Sequence, residues 1–132
     1  METIHGIGID LVNIARIDQV IQRWGDKFLR RTFTPQEIAY CVSKTFPRQH
    51  YAARFAAKEA VFKALGTGWN HEVGWLDVEV SLNPDSGQPS ILLAGKCLKI
   101  LGEPSSLRVL LSLSHDKEYA IAQAVIVKTS SS

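Results

Sequence analysis

The segment from Arg54 to Gly68, RFAAKEAVFKALGTG, constrains the fold most, because it reads as a helix with almost no face to give to water. With Ala52 at zero and about 100° per residue, Ala53, Ala57, Ala60 and Ala64 cluster between about 80° and 140°. That smooth face lets a neighbouring backbone come close. Phe55 and Phe62 fall near about 300° and 280°, Glu59 near about 340° and Lys63 near about 20°, flanked by Ala52 and Ala56. Arg54 and Lys58 occupy a separate sector at about 200° to 240°. Charges on so apolar a helix need a reason to be there.

The helix is expected from about Gln49, after Pro47, to Leu65, where Gly66, Thr67 and Gly68 stop it. Upstream, HGIGIDLV alternates: Ile7, Ile9 and Leu11 share one face of a strand, Gly6, Gly8 and Asp10 the other. The glycine face admits another backbone at close range. Ile14, Ile17, Ile21 and Trp24 recur at helical spacing between Asn13 as N-cap and Gly25 as stop. TPQEIAYCV carries Thr34, Pro35 and Glu37 in the order of a capping box. Val73 to Leu82 reads as a strand, NPDSGQP as a turn, and Ser90 to Leu93 as a second strand. A helix is expected from about Ala94 to Leu101, then a hairpin of RVLLSLS and YAIAQAVIV around HDKE. Helices grouped early and strands late predict one α+β domain with a largely antiparallel sheet over residues 1–128. Thr129 to Ser132, TSSS, is expected to be a flexible tail.

A net charge of +2 is too small for nucleic-acid binding by bulk electrostatics, so a charged partner must be met by a local patch. No run of about 18 apolar residues predicts a membrane span. Cys41 and Cys97 have no spacing partner and nothing at the N-terminus reads as a signal peptide, so a cytoplasmic protein with free thiols is expected. The absence of CxxC and HExxH removes the sequence case for a Cys or His zinc site.

Glu59 and Lys63, four residues apart, admit two readings. One is an ordinary surface ion pair worth about 0.2 to 0.5 kcal/mol. The other is a carboxylate and an ammonium held beside the glycine-lined strand as a metal and phosphate site. Magnesium takes one or two protein carboxylates and completes its shell with water and phosphate oxygens. Asp10 is the obvious second ligand, although an aspartate ahead of a helix is also a common cap. His115, beside Ser112, Ser114 and Asp116, invites a hydrolase reading. Adjacent strand residues point to opposite faces and no GxSxG elbow exists, which argues against it.

Two blocks together, GIGIDLVNIARI (Gly6 to Ile17) and RFAAKEAVFKALGTG, resemble the signature segments of the holo-acyl-carrier-protein synthases, the small 4'-phosphopantetheinyl transferases. The chain length, the GQP turn and the SLSHDKEYA hairpin extend the resemblance across the chain. It implies a single 4'-phosphopantetheinyl transferase-like domain that moves the phosphopantetheine arm of coenzyme A onto a serine of apo-acyl carrier protein. The other product would be adenosine 3',5'-bisphosphate, and the reaction would serve fatty acid biosynthesis. The resemblance makes Asp10 and Glu59 magnesium ligands and gives Lys63 a coenzyme A phosphate. It adds Lys58, which supports the charge arrangement, and Gly66 to the coenzyme A contacts, with His115, Gly87 and Pro89 near the nucleotide and Arg48 near the 3'-phosphate. Either Glu59 or a metal-associated water would take the serine proton.

Arg16, Gln19 and Arg23 lie on the helix face away from Ile14 and Ile17, followed by Lys27, Arg30 and Arg31. A charge run is commonly just a solvated face. The resemblance implies instead that this helix docks an acidic carrier protein, with Arg16 and Arg23 as partner contacts. It further implies a homotrimer with active sites between subunits. A coenzyme A-binding module without catalysis, or an oligomer in which Glu59 and Lys63 pair across a boundary, are the competing readings.

Overall fold

The computed structural model describes residues 1–66, 73–94, 97 and 107–129. Strand β1, Glu2–Asn13, leads into helices α1 (Ile14–Trp24), α2 (Asp26–Thr32), α3 (Pro35–Val42) and α4 (Pro47–Leu65). A single 3₁₀ turn, Trp75–Asp77, precedes strands β2 (Val78–Leu82), β3 (Pro89–Leu93), β4 (Leu107–His115) and β5 (Tyr119–Thr129). β1, β5 and β4 form one antiparallel sheet in that order, and β2 and β3 a separate antiparallel hairpin. The predicted α+β class is therefore observed.

The predicted caps are in place. Asn13 accepts from the Arg16 N–H, Thr34 and Glu37 form the reciprocal capping box, and Gly25 and Gly66 end α1 and α4 with φ of 59° and 84°. These left-handed values favour glycine. α4 is buried over most of its length, Arg54 and Lys58 included.

The contact between α4 and β1 fixes the architecture. A Cβ built on Gly6 would lie 1.9 Å from the Ala64 carbonyl oxygen, and one built on Gly8 1.9 Å from that of Ala60. Only glycine on the strand and alanine on the helix allow that approach. With the glycine face turned inward, the aliphatic face turns outward: Ile7, Ile9 and Leu11 are 58%, 54% and 61% exposed.

Four expectations are corrected. The strand predicted from Val73 begins at Val78, because Trp75–Asp77 coils into a turn capped by the Gly74 N–H donating to Asp77 Oδ2 at 2.8 Å. DKFLRRT, read as a basic run beyond Gly25, is helix α2. β1 starts at Glu2, ahead of HGIGIDLV. β5 takes in Thr129 of the predicted tail by pairing it with Glu2. Residues 67–72, 95–96, 98–106 and 130–132 lie outside the described residues, and with them most of the predicted 94–101 helix and the rest of the tail.

Candidate metal and phosphate site

The glycine and alanine seam sets the site. Asp10 follows Gly8 on the same face of β1, and Glu59 precedes Ala60 on α4, so closing the seam brings both acids to one groove. The groove has a volume of about 440 Å³ and is lined by Asp10, Asn13, Arg16, Phe55, Glu59 and Lys63, among others.

Lys63 reaches across the seam: its Nζ lies 3.2 Å from Asp10 Oδ1 and donates to the Ile9 carbonyl at 2.8 Å. Among the described residues Glu59 makes no hydrogen bond and no ion pair within 4.0 Å. The ordinary Glu59–Lys63 surface pair is thus replaced by a Lys63–Asp10 contact that leaves the Glu59 carboxylate free. Burial raises the Glu59 pKa, the Asp10 charge raises it further, and Lys63 opposes both.

Asn13 caps α1, so Asp10 is not needed for that role. Two neighbouring carboxylates, one without a partner, fit a hard cation that binds oxygen. Among the described residues no three His, Cys, Asp or Glu side chains gather as a metal cage. One or two carboxylates suffice for magnesium when water and substrate oxygens complete its shell.

Of the remaining predicted positions, Arg16 joins the groove and the others do not line it. Lys58 is a correction: it has no accessible surface and points into the core, with Nζ on Glu37 Oε1 at 2.8 Å and on the carbonyls of Trp75 and Val78. Helical spacing turns it about 100° away from Glu59. Arg48 turns toward Asp18 at 3.8 Å, and it is His50, two residues on, whose ring meets that of His115 at 5.8 Å between centroids. Gly87, with φ of 73°, shapes the β2–β3 turn and Pro89 opens β3. Arg16 lines the groove, and Arg23 lies over the Trp24 ring. Asp116 Oδ1 accepts from the N–H groups of Glu118 and Tyr119, both at 2.7 Å, so it caps the hairpin rather than serving His115.

Sequence reading found Glu37 as the closer of the capping box but missed that its carboxylate also binds Lys58, and it missed Phe55 as a wall of the groove. Local signals account for the first role of Glu37, and nothing local announces the second. Phe55 was visible only as one edge of the helix. His50 carried no signal at all.

A model of the 4'-phosphopantetheinyl transferase superfamily matches residues 6–124. The chain is 46% identical over 123 residues to the holo-[acyl-carrier-protein] synthase of Koribacter versatilis, covering 93% of this chain and 98% of that one. It is also 46% identical to the holo-[acyl-carrier-protein] synthase of Geobacter sulfurreducens, covering 93% and 97%. Among solved structures, the Helicobacter pylori holo-[acyl-carrier-protein] synthase in complex with coenzyme A superposes with a TM-score of 0.80 at 38% identity, covering 91% of this chain and 98% of that one. The Neisseria meningitidis holo-[acyl-carrier-protein] synthase does so with a TM-score of 0.84 at 33% identity, covering 94% and 98%. Fold, paired blocks and near full-length matches agree: the chain belongs to the holo-[acyl-carrier-protein] synthases of the 4'-phosphopantetheinyl transferase superfamily.

Proposed function

We infer that this chain transfers the 4'-phosphopantetheine group of coenzyme A to a serine of apo-acyl carrier protein and so supplies holo-carrier protein for fatty acid synthesis. The observation that carries the reading is the unpartnered Glu59 carboxylate beside the Asp10–Lys63 pair in one groove. In the transfer the serine oxygen bonds to the phosphorus that carries the pantetheine arm. The bond from that phosphorus to the bridging oxygen breaks, and adenosine 3',5'-bisphosphate leaves with its electron pair. Such chemistry depends on positioning and on offsetting phosphate charge, which a few residues can supply.

Asp10 and Glu59 would hold magnesium, which when bound offsets charge on the pyrophosphate oxygens. Lys63, half exposed at the mouth, is placed to donate to a phosphate oxygen. The serine proton needs an acceptor, and the Glu59 carboxylate has a second oxygen to take it while the first holds the cation. At the far end of β4, His115 and His50 present a ring pair suited to the nucleotide end of the donor, with Lys44 and Arg54 close enough to lower the His50 pKa after burial does. Gly66, at the end of α4, the Gly87–Pro89 turn and Arg48, whose side chain is more than half exposed, complete the proposed donor contacts; the buried Lys58 is not among them.

The acceptor surface runs from Arg16 along α1. Beside the catalytic groove, and sharing Val20 and Phe55 with it, lies an apolar hollow of about 740 Å³ edged by Trp24, Lys27 and Arg31. Apolar walls with a basic rim suit an acidic carrier protein. The outward aliphatic face of β1, joined by Leu110 and Ile121 on the same side of the sheet, supports a homotrimer with sites between subunits. One cluster of buried residues from Val12 to Ile126 supports a single domain to residue 128. No helix among the described residues is long and apolar enough to cross a membrane, and the cytoplasm is the proposed compartment.

The test is intact-mass analysis of apo-acyl carrier protein after incubation with this protein, coenzyme A and magnesium. One phosphopantetheine should be gained per carrier, and none when magnesium is chelated. A carrier unchanged under full conditions would refute the function.

A further inference from the structure

Glu37 and Lys58 are opposite charges taken wholly out of water. Burial pulls the Lys58 pKa down and Glu37 opposes it. Desolvating such a pair commonly cancels its attraction, and apolar replacements are often neutral or stabilising. Stability therefore does not account for the pair; its directionality does. The three ammonium donors of Lys58 meet Glu37 Oε1 at 2.8 Å, the Trp75 carbonyl at 2.9 Å and the Val78 carbonyl at 2.6 Å. Glu37 Oε1 accepts from the Thr34 N–H at 2.8 Å and Oε2 from the Val80 N–H at 2.9 Å. One junction thus joins the start of α3, the middle of α4, the 3₁₀ turn and β2.

That junction sits one residue from Glu59. The glycine seam holds α4 through Ala60 and Ala64, and Lys58 holds it about 120° to 160° away around the helix from those two residues. Two tethers on different sides leave the helix no freedom to turn on its axis. The same junction fixes Trp75, whose ring stacks on Phe55 at 4.9 Å and 24° and meets Phe62 edge-on at 5.1 Å. Phe55 lies one turn before Glu59 and lines the groove with it. A turn of about 10° moves a carboxylate about 6 Å from the helix axis by about 1 Å, the scale at which misplacement costs about 100-fold in rate.

We propose that Glu37 and Lys58 are a positioning pair for Glu59, setting the rotation of α4 and the Phe55 wall so that Glu59 faces Asp10 without touching substrate themselves. The proposal rests on Asp10 and Glu59 being the cation site. Its test is the double variant Glu37→Gln/Lys58→Met in the full chain, which removes both charges and keeps one amide oxygen to accept from the N–H of Thr34 or Val80. Melting, coenzyme A KM, kcat and Mn2+ binding by electron paramagnetic resonance are measured together. The expected outcome is cooperative melting with KM within about threefold, kcat lower by about tenfold or more, and Mn2+ bound several-fold more weakly. A folded double variant with wild-type kcat and Mn2+ affinity would overturn the proposal. Should the double variant not melt cooperatively, Trp75→Leu, which keeps the charge pair and removes the stack on Phe55, must show the same loss of kcat; wild-type turnover there also overturns it. Failure of the wild-type protein to bind Mn2+ or to modify the carrier would instead sink the parent reading, so the two failures are distinct.

Discussion

Replacing Gly8 with alanine tests how the seam builds the site. The added carbon would lie 1.9 Å from the Ala60 carbonyl oxygen and 2.9 Å from the Ala64 nitrogen. A carbon and a carbonyl oxygen rest at about 3.3 Å, so strand and helix must part by about 1.4 Å. Neither side can yield by rotating a side chain, because both are backbone. Overpacking of this kind costs about 2 to 3 kcal/mol, which for a domain of this size lowers Tm by about 10 °C. Asp10 follows Gly8 by two residues and Glu59 precedes Ala60, so the acids separate by about 1 Å and kcat/KM should fall by about 100-fold. Thermal unfolding and carrier modification, each run beside Gly74→Ala, provide the assay. Gly74 is a suitable control because, among the described residues, its added carbon would meet only Asp77 Oδ2, at 3.6 Å. A Gly8→Ala protein that melts and turns over like the control would refute the reasoning.

Four further outcomes are expected. Burial and the Asp10 charge raise the Glu59 pKa, and the proposed cation site needs Glu59 ionised, so Mn2+ affinity should fall as pH decreases through that raised pKa, and a pH-independent affinity would contradict it. By linkage, an acid with a raised folded pKa stabilises the metal-free fold at low pH and loses that contribution as pH rises; Glu59→Gln should therefore raise the metal-free Tm at neutral pH, and a lowered Tm would contradict this. Reversing Arg16 and Arg23 to glutamate should raise the KM for the carrier protein by about tenfold and flatten its dependence on salt, as steering charges do; Arg23→Glu alone, outside the groove that Arg16 lines, should weaken carrier binding with the coenzyme A KM unchanged. Ile9→Glu places a charge on the outward face of β1, and light scattering should report trimer giving way to monomer; a wild-type protein that is itself monomeric would remove the proposed subunit boundary.

Local chemistry made much of this fold legible. Asn13, Gly25, Thr34 with Glu37, and Gly66 each mark an element boundary through their own backbone needs, and all four boundaries stand where the residues predict. Period-two alternation separated the faces of β1 but did not say which was inward. The usual rule buries the aliphatic face; here the alanine face of α4 requires glycine opposite it, and Ile7, Ile9 and Leu11 turn out. α2 was hidden because its seven residues are too few to show a period and it begins right after a stop signal. In the site, spacing joined Glu59 to Lys63, whereas the lysine stretches to Asp10, 53 residues earlier, a contact that only the tertiary fold creates. Lys58 adjoins Glu59 in sequence but turns about 100° away from it into the core, committed to Glu37 and two carbonyls.

The central claim is that Asp10 and Glu59 share one divalent cation. Crystals grown with coenzyme A and Mn2+ would test it most directly, through the anomalous signal of the metal. The account predicts one strong peak with a carboxylate oxygen from each residue at about 2.0 to 2.3 Å. A peak held by neither acid, or bound by one while the other points away, would contradict it.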